Sequence, residues 1–245
     1  MSLEVNTSCL DAQHISRKSI WEIFSHELVH HLPYGTVSVA LALMLLSMIS
    51  VLFGLSNICS HHTHDHAIHD ACSMLSGMDV LFHSFHFAHI LFAASGTMVT
   101  FYRYSRNIVA GIIVGVVSSV IFCTLADILL PYAAGRLLGV SMELHICFRS
   151  ELANIIPFLA IGVINGIIIP RGKEGHTEHH SVSLHIIHTF ISAMASIFYA
   201  IGHGLENFHD YLGMFFVLML IAVVIPCTLS DVVVPILWAR MVNKK

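Results

Sequence analysis

The chain has 245 residues, 56% hydrophobic and only 11% charged, with a mean hydropathy of +0.79, a balance that excludes a soluble domain of this size. Eleven Lys and Arg against fifteen Asp and Glu leave a net charge of −4 with His neutral, so no basic surface points to nucleic acid as a partner. Twenty histidines are the second departure, since average usage gives about five or six in such a length.

Residues 1–33 mix acids, bases and His without a continuous apolar core, which argues against a cleavable signal peptide and for a cytoplasmic segment. Within it, Ser19 to Leu32 reads as a short amphipathic helix lying on the membrane surface. Six apolar stretches follow near 34–56, 79–102, 107–132, 152–170, 182–202 and 211–238, each near the roughly 20 residues that a helical crossing needs. Small residues in the third, Gly111, Gly115, Ser118 and Ser119, are expected at helix contacts, because close approach in lipid needs them. With six crossings, Arg17, Lys18, Arg103, Arg106, Arg171, Lys173, Arg240, Lys244 and Lys245 fall on one side, and only Arg136 and Arg149 on the other. The positive-inside rule then places both termini in the cytoplasm, at a plasma or inner membrane.

A nine-residue stretch occurs twice, as Cys123-Thr-Leu-Ala-Asp-Ile-Leu-Leu-Pro131 and Cys227-Thr-Leu-Ser-Asp-Val-Val-Val-Pro235. An Asp at the centre of a membrane helix costs about 2.5–3.5 kcal/mol, so keeping one in both copies argues for a task, although an Asp at a helix end can simply touch water. Other expensive residues repeat in step. Glu27-Leu28 with Pro33-Tyr34 matches Glu151-Leu152 with Pro157-Phe158, and His86-x-x-His89 matches His185-x-x-His188, each His pair followed by Phe-Tyr. The fold expected is therefore six transmembrane helices as two three-helix repeats, 34–132 and 133–245. An odd number of crossings per repeat makes the second copy inverted, the plan of many secondary transporters.

Inversion predicts two half-sites at opposite levels. His86, His89, Cys123, Asp127 and Glu151 gather near the outer face, and His185, His188, Cys227, Asp231 and Glu27 near the inner one. Imidazoles, carboxylates and thiols in that mixture suit Zn, Fe, Co or Ni rather than Mg or Ca. For Cys123 and Cys227 the plainer reading, a buried Cys as a small apolar filler, stays open. Two His-rich tracts, His61, His62, His64, His66 and His69 outside and His176, His179 and His180 inside, read as loops that collect metal loosely or as solvated polar segments. Cys59 and Cys72 bracket the outer tract and suit a disulfide or metal binding equally.

These features favour a transporter of divalent transition-metal ions working by alternating access, with metal ions and lipid as partners, no nucleotide, and a homo-oligomer compatible. Two enzyme readings stand beside it. His26-Glu27-Leu28-Val29-His30 matches the HExxH zinc-peptidase pattern, and with Asp127 or Asp231 as third ligand would make an intramembrane protease. The spacings His26-x-x-x-His30-His31 and His176-x-x-His179-His180 resemble the His boxes of membrane di-iron desaturases and hydroxylases. Against the first, the repeat partner Ser150-Glu151-Leu152-Ala153-Asn154 keeps the Glu and loses both His; the second gives the duplicated Asp no role.

Overall fold

Backbone amides and carbonyls have no partner in hydrocarbon and must bond within their own segment, so apolar sequence of this kind folds as helix. The computed structural model describes residues 19–52, 66–147, 151–169, 177–205 and 208–244, with side chains for 19–49, 77–147, 151–169, 185–205 and 208–244. All regular structure among the described residues is helical: α1 (Ile20–Leu52), α2 (His66–Tyr104), α3 (Ile108–Leu137), α4 (Leu152–Ile168), α5 (Thr177–Gly202) and α6 (Phe208–Asn243), the last opening with a short 3-10 turn.

Among the described residues, four stretches are long and apolar enough to cross a membrane, namely Ile20–Ile49, Ile108–Leu137, His185–Gly202 and Phe208–Asn243. Helix α4 is apolar but has only 17 residues. Helix α2 is longer, and its five histidines, His83, His86 and His89 among them, lower its hydropathy. It is shielded by its neighbours, packing on α3, α4, α5 and the second half of α6.

Small residues permit that crowding. A Cβ on Gly162 of α4 would sit 2.6 Å from the Leu91 carbonyl oxygen of α2, so the two backbones touch directly. Gly115 of α3 and Gly166 of α4 both close on Met98, and Gly111 closes on the Tyr102 ring. Ser118 and Ser119 are buried, the first within hydrogen-bonding reach of Ser230 on α6. Gly111, Gly115 and Ser118 thus lie at helix contacts as expected, while Ser119 turns its hydroxyl back to the Gly115 carbonyl. On the other flank of α2, Phe82, Phe198, Tyr199, Phe215 and Met219 fill the space between α1, α2, α5 and α6.

Three expectations are corrected. Ser19 to Leu32 is not a separate surface helix: α1 runs unbroken from Ile20 to Leu52 through Pro33. A proline within a membrane helix is tolerated where neighbours and local adjustment satisfy the freed carbonyl. The ends of both His-rich tracts are helical rather than loop, since α2 begins at His66 and α5 at Thr177.

Candidate metal centre

Both nine-residue motifs do the same thing to their helix. Each passes through a five-residue π turn, Leu125–Leu129 in α3 and Leu229–Val233 in α6, with the Asp third in the turn. The cause lies four residues beyond each Asp, at Pro131 and Pro235. A proline there cannot donate to the Asp carbonyl, and its ring would collide with it in a regular α-helix. Widening the turn by one residue avoids the collision: Leu130 N–H bonds to Leu125 O, and Val234 N–H to Leu229 O. The outcome is an Asp carboxylate held in the interior, 0% exposed at Asp127 and 3% at Asp231.

Each carboxylate receives the His pair of its own half. His86 and His89 donate Nδ1–H to Asp127 Oδ2 at 2.8 and 2.7 Å, and Ser192 Oγ donates to Oδ1 at 3.1 Å. His188 Nδ1 lies 2.7 Å from Asp231 Oδ2, with His185 Nδ1 further off at 3.9 Å. A carboxylate on Nδ1 fixes the tautomer and leaves the Nε2 lone pair as the outward-facing atom, which is how metal-binding imidazoles are prepared.

Those lone pairs converge. His89, from α2, and His188, from α5, bring their ring centroids to 4.7 Å, and Cys227 Sγ of α6 stands 3.7 Å from His89 Nε2. One ligand atom from each of His89, His188 and Cys227 lies within 4.8 Å of the other two, and all three side chains are buried. Cys123 also lies against His89. His188 Nε2 has no hydrogen-bond partner, an expensive state for a buried nitrogen unless a ligand satisfies it. Tetrahedral zinc, with Zn–S about 2.3 Å and Zn–N about 2.0–2.1 Å, would set S and N about 3.6 Å apart. The 3.7 Å between Cys227 Sγ and His89 Nε2 is close to that separation, so this buried group could hold a metal ion.

The structure brings together side chains that the sequence reading assigned to two separate half-sites. His89 and His188, placed by sequence at opposite levels, meet in one centre. Asp127 and Asp231 hold imidazoles by Nδ1 and so stand behind the ligands. His86 shares Asp127 and stacks on Phe82, and His185 leans toward Asp231. Neither glutamate arrives: the Glu151 side chain accepts from Asn154 at the start of α4, and Glu27 lies beside His26 and His31 on α1. His61, His62, His64 and His176 lie outside the described residues, as do the side chains of His66, His69, His179 and His180 and both Cys59 and Cys72.

Sequence reasoning missed several participants. Ser192, one turn after His188, was legible as a polar residue on the His face of α5. Thr97 donates to Ser230 O at 3.0 Å and Ser196 to Ala126 O at 3.1 Å, so each half bonds the backbone beside the other half's Asp. On the α1 side, His31 is buried with Nδ1–H on Glu27 O at 2.8 Å, its ring edge-on to His185 at 4.8 Å and its Nε2 without a partner. On the other side, His83, His145 and Cys147 form a second convergent group. Burial pushes the Cys147 thiol up to about 12, so it is an S–H group beside the His83 imidazole. His83 was readable as the next member of the series His83, His86, His89, spaced by three; Cys147, in a connection without periodicity, carried no signal. Compared with known proteins, the chain matches no family model, no curated protein and no solved structure.

Proposed function

We propose that the protein carries divalent transition-metal ions of the Zn, Fe, Co and Ni class across a membrane. The observation that carries this reading is the buried convergence of His89, His188 and Cys227, with the imidazoles braced by buried carboxylates and His188 Nε2 left unpartnered. A structural metal site would need only one such cluster. Here further imidazoles extend from it toward both ends of the bundle, His185 and His31 on one side and His86 and His83 on the other, as a path for a cation requires. All three donors of the centre are enclosed, so loading and release need the helices to part, which is alternating access.

The same reading takes all six helices as crossings and the halves 34–132 and 133–245 as inverted copies. Its support is the matched π turns, the matched Asp–His pairs and the reciprocal bonds of Thr97 and Ser196. The Lys and Arg bias then sets both termini in the cytoplasm. Both enzyme readings use His26 and His30, which are exposed, with rings 4.5 Å apart; the di-iron reading also uses His31 and His176, His179 and His180, the last three outside the residues whose side chains are described. Among the described residues, no group of three metal-binding side chains includes His26 or His30.

The test is uptake of Zn, Fe, Co and Ni by proteoliposomes, with and without a pH gradient. Flux of at least one ion above empty liposomes, lost in His188→Ala, is expected. An inserted, folded protein that moves none of them would end the proposal.

A further inference from the structure

The structure assigns a second transition-metal site to His83, in the middle of α2, with His145 and Cys147 of the connection between α3 and α4. One donor atom from each lies within 4.8 Å of the others. Cys147 Sγ is 3.4 Å from His83 Nε2, again close to the S–N separation of about 3.6 Å that tetrahedral zinc imposes. His83 Nδ1–H is held by the Asp79 carbonyl at 2.8 Å, which leaves Nε2 as the ligating atom and fixes its direction. The Asp79 carboxylate lies 3.4 Å from the same ring nitrogen and supplies negative charge beside the site.

A fourth ligand is at hand. The His203 ring stacks on Tyr199 at 4.1 Å and faces His145 at 5.9 Å, and its Nδ1–H bonds to Tyr199 O, so it too presents Nε2. Water is the alternative, because the rim is open: the His83 side chain keeps 17% of its surface, and only Cys147 of the triad is fully enclosed. Two imidazoles and a cysteine sulfur that gives up its proton to solvent as the metal binds select a borderline or soft cation, in the Zn class, over Mg or Ca. Six residues separate His83 from His89, about 9 Å along α2 at 1.5 Å per residue, and His86 lies midway. An accessible site at that distance is a capture point from which the ion passes to the enclosed centre. That handover rests on the transport reading; metal binding at His83, His145 and Cys147 does not.

The probe is cobalt(II) alone, titrated into the full-length protein in detergent and followed by its thiolate-to-cobalt absorption and by metal content after dialysis. Cys147→Ser and His145→Ala should each lose one bound cobalt per chain relative to wild type, and Cys147→Ser should also lose one thiolate band. Both variants binding cobalt as wild type does would overturn the assignment. If Cys147→Ser fails to fold, His145→Ala decides, since the His145 main-chain N–H that bonds Tyr199 Oη is untouched by it. Adding His188→Ala to Cys147→Ser separates the two claims. Loss of a further cobalt supports both sites. Retention of that cobalt sinks the central centre while leaving the outer one standing on its own result.

Discussion

Replacing Asp127 by Asn is the sharpest probe of the centre, because it alters charge and tautomer control while changing volume hardly at all. Asp127 Oδ2 accepts from two imidazoles at 2.8 and 2.7 Å, and Oδ1 accepts from Ser192 at 3.1 Å. An amide offers one oxygen, so either His86 and His89 share a neutral acceptor or an N–H group faces an N–H group. In the first case each bond falls from the charge-assisted range to the neutral one, about 1 kcal/mol per bond and about 2 kcal/mol together. In the second, His89 must change tautomer and its Nε2 ceases to be a ligand. Removing a partner behind a metal ligand costs about 10–100-fold in affinity; of the two imidazoles on Asp127 His89 belongs to the centre, so Asp127→Asn falls within that range. Asp231→Asn, which removes the 2.7 Å bond to the other ligand imidazole, His188, falls in the same range. Competition of zinc against a chromophoric chelator in detergent measures both, with metal flux as the second readout. Binding by either variant within about threefold of wild type would refute the bracing role argued from these distances.

Pro131→Ala should let the π turn relax toward regular α-helix and rotate Asp127 away from its imidazoles, lowering zinc affinity about tenfold with helicity by circular dichroism unchanged; unaltered affinity would show that the proline does not set the turn. Gly162→Ala should destabilise the fold by about 1–3 kcal/mol, read as a lower Tm, because its methyl would press on the Leu91 carbonyl and the Ala94 methyl, neither of which can swing aside. Thr97→Val and Ser196→Ala should each cost about 0.6 kcal/mol in the same assay, the usual size of such bonds between membrane helices, and a null effect of both would remove the reciprocal bonds from the account. His26→Ala should keep wild-type flux where His188→Ala abolishes it, whereas HExxH chemistry demands the reverse.

The helices were legible because apolar runs near 20 residues leave the backbone no other choice, and the chemistry was legible because Asp127 and Asp231 recur with their His pairs. What sequence could not deliver was depth. Placing His89 and His188 at separate levels assumed where each span meets the membrane surface, and an error of three residues moves a side chain about 4.5 Å along a helix. The π turns were hidden for a related reason, since a one-residue widening leaves hydropathy unchanged; Pro131 and Pro235 were the available clue. Pro33 misled in the opposite direction, reading as a boundary where α1 continues. Cys147 joins its histidines through chain reversal between α3 and α4, which no local pattern encodes.

The shortness of α4 bears on the lipid. Its 17 residues rise about 26 Å, less than the roughly 30 Å of an average hydrocarbon layer, while α1 with 33 residues rises about 50 Å. If α4 crosses as proposed, the acyl chains beside it must shorten or compress by about 4 Å, at fractions of a kcal/mol per Å. That dimple lies on the flank where Gly162 and Gly166 press α4 onto α2, the helix carrying His86 and His89. The hydration boundary thus dips toward the histidines on one side only. Bilayers of shorter acyl chains should therefore hold the folded protein more stably than thick ones, and thermal unfolding in lipids of graded chain length would show it, equal stability across the series counting against a six-crossing chain.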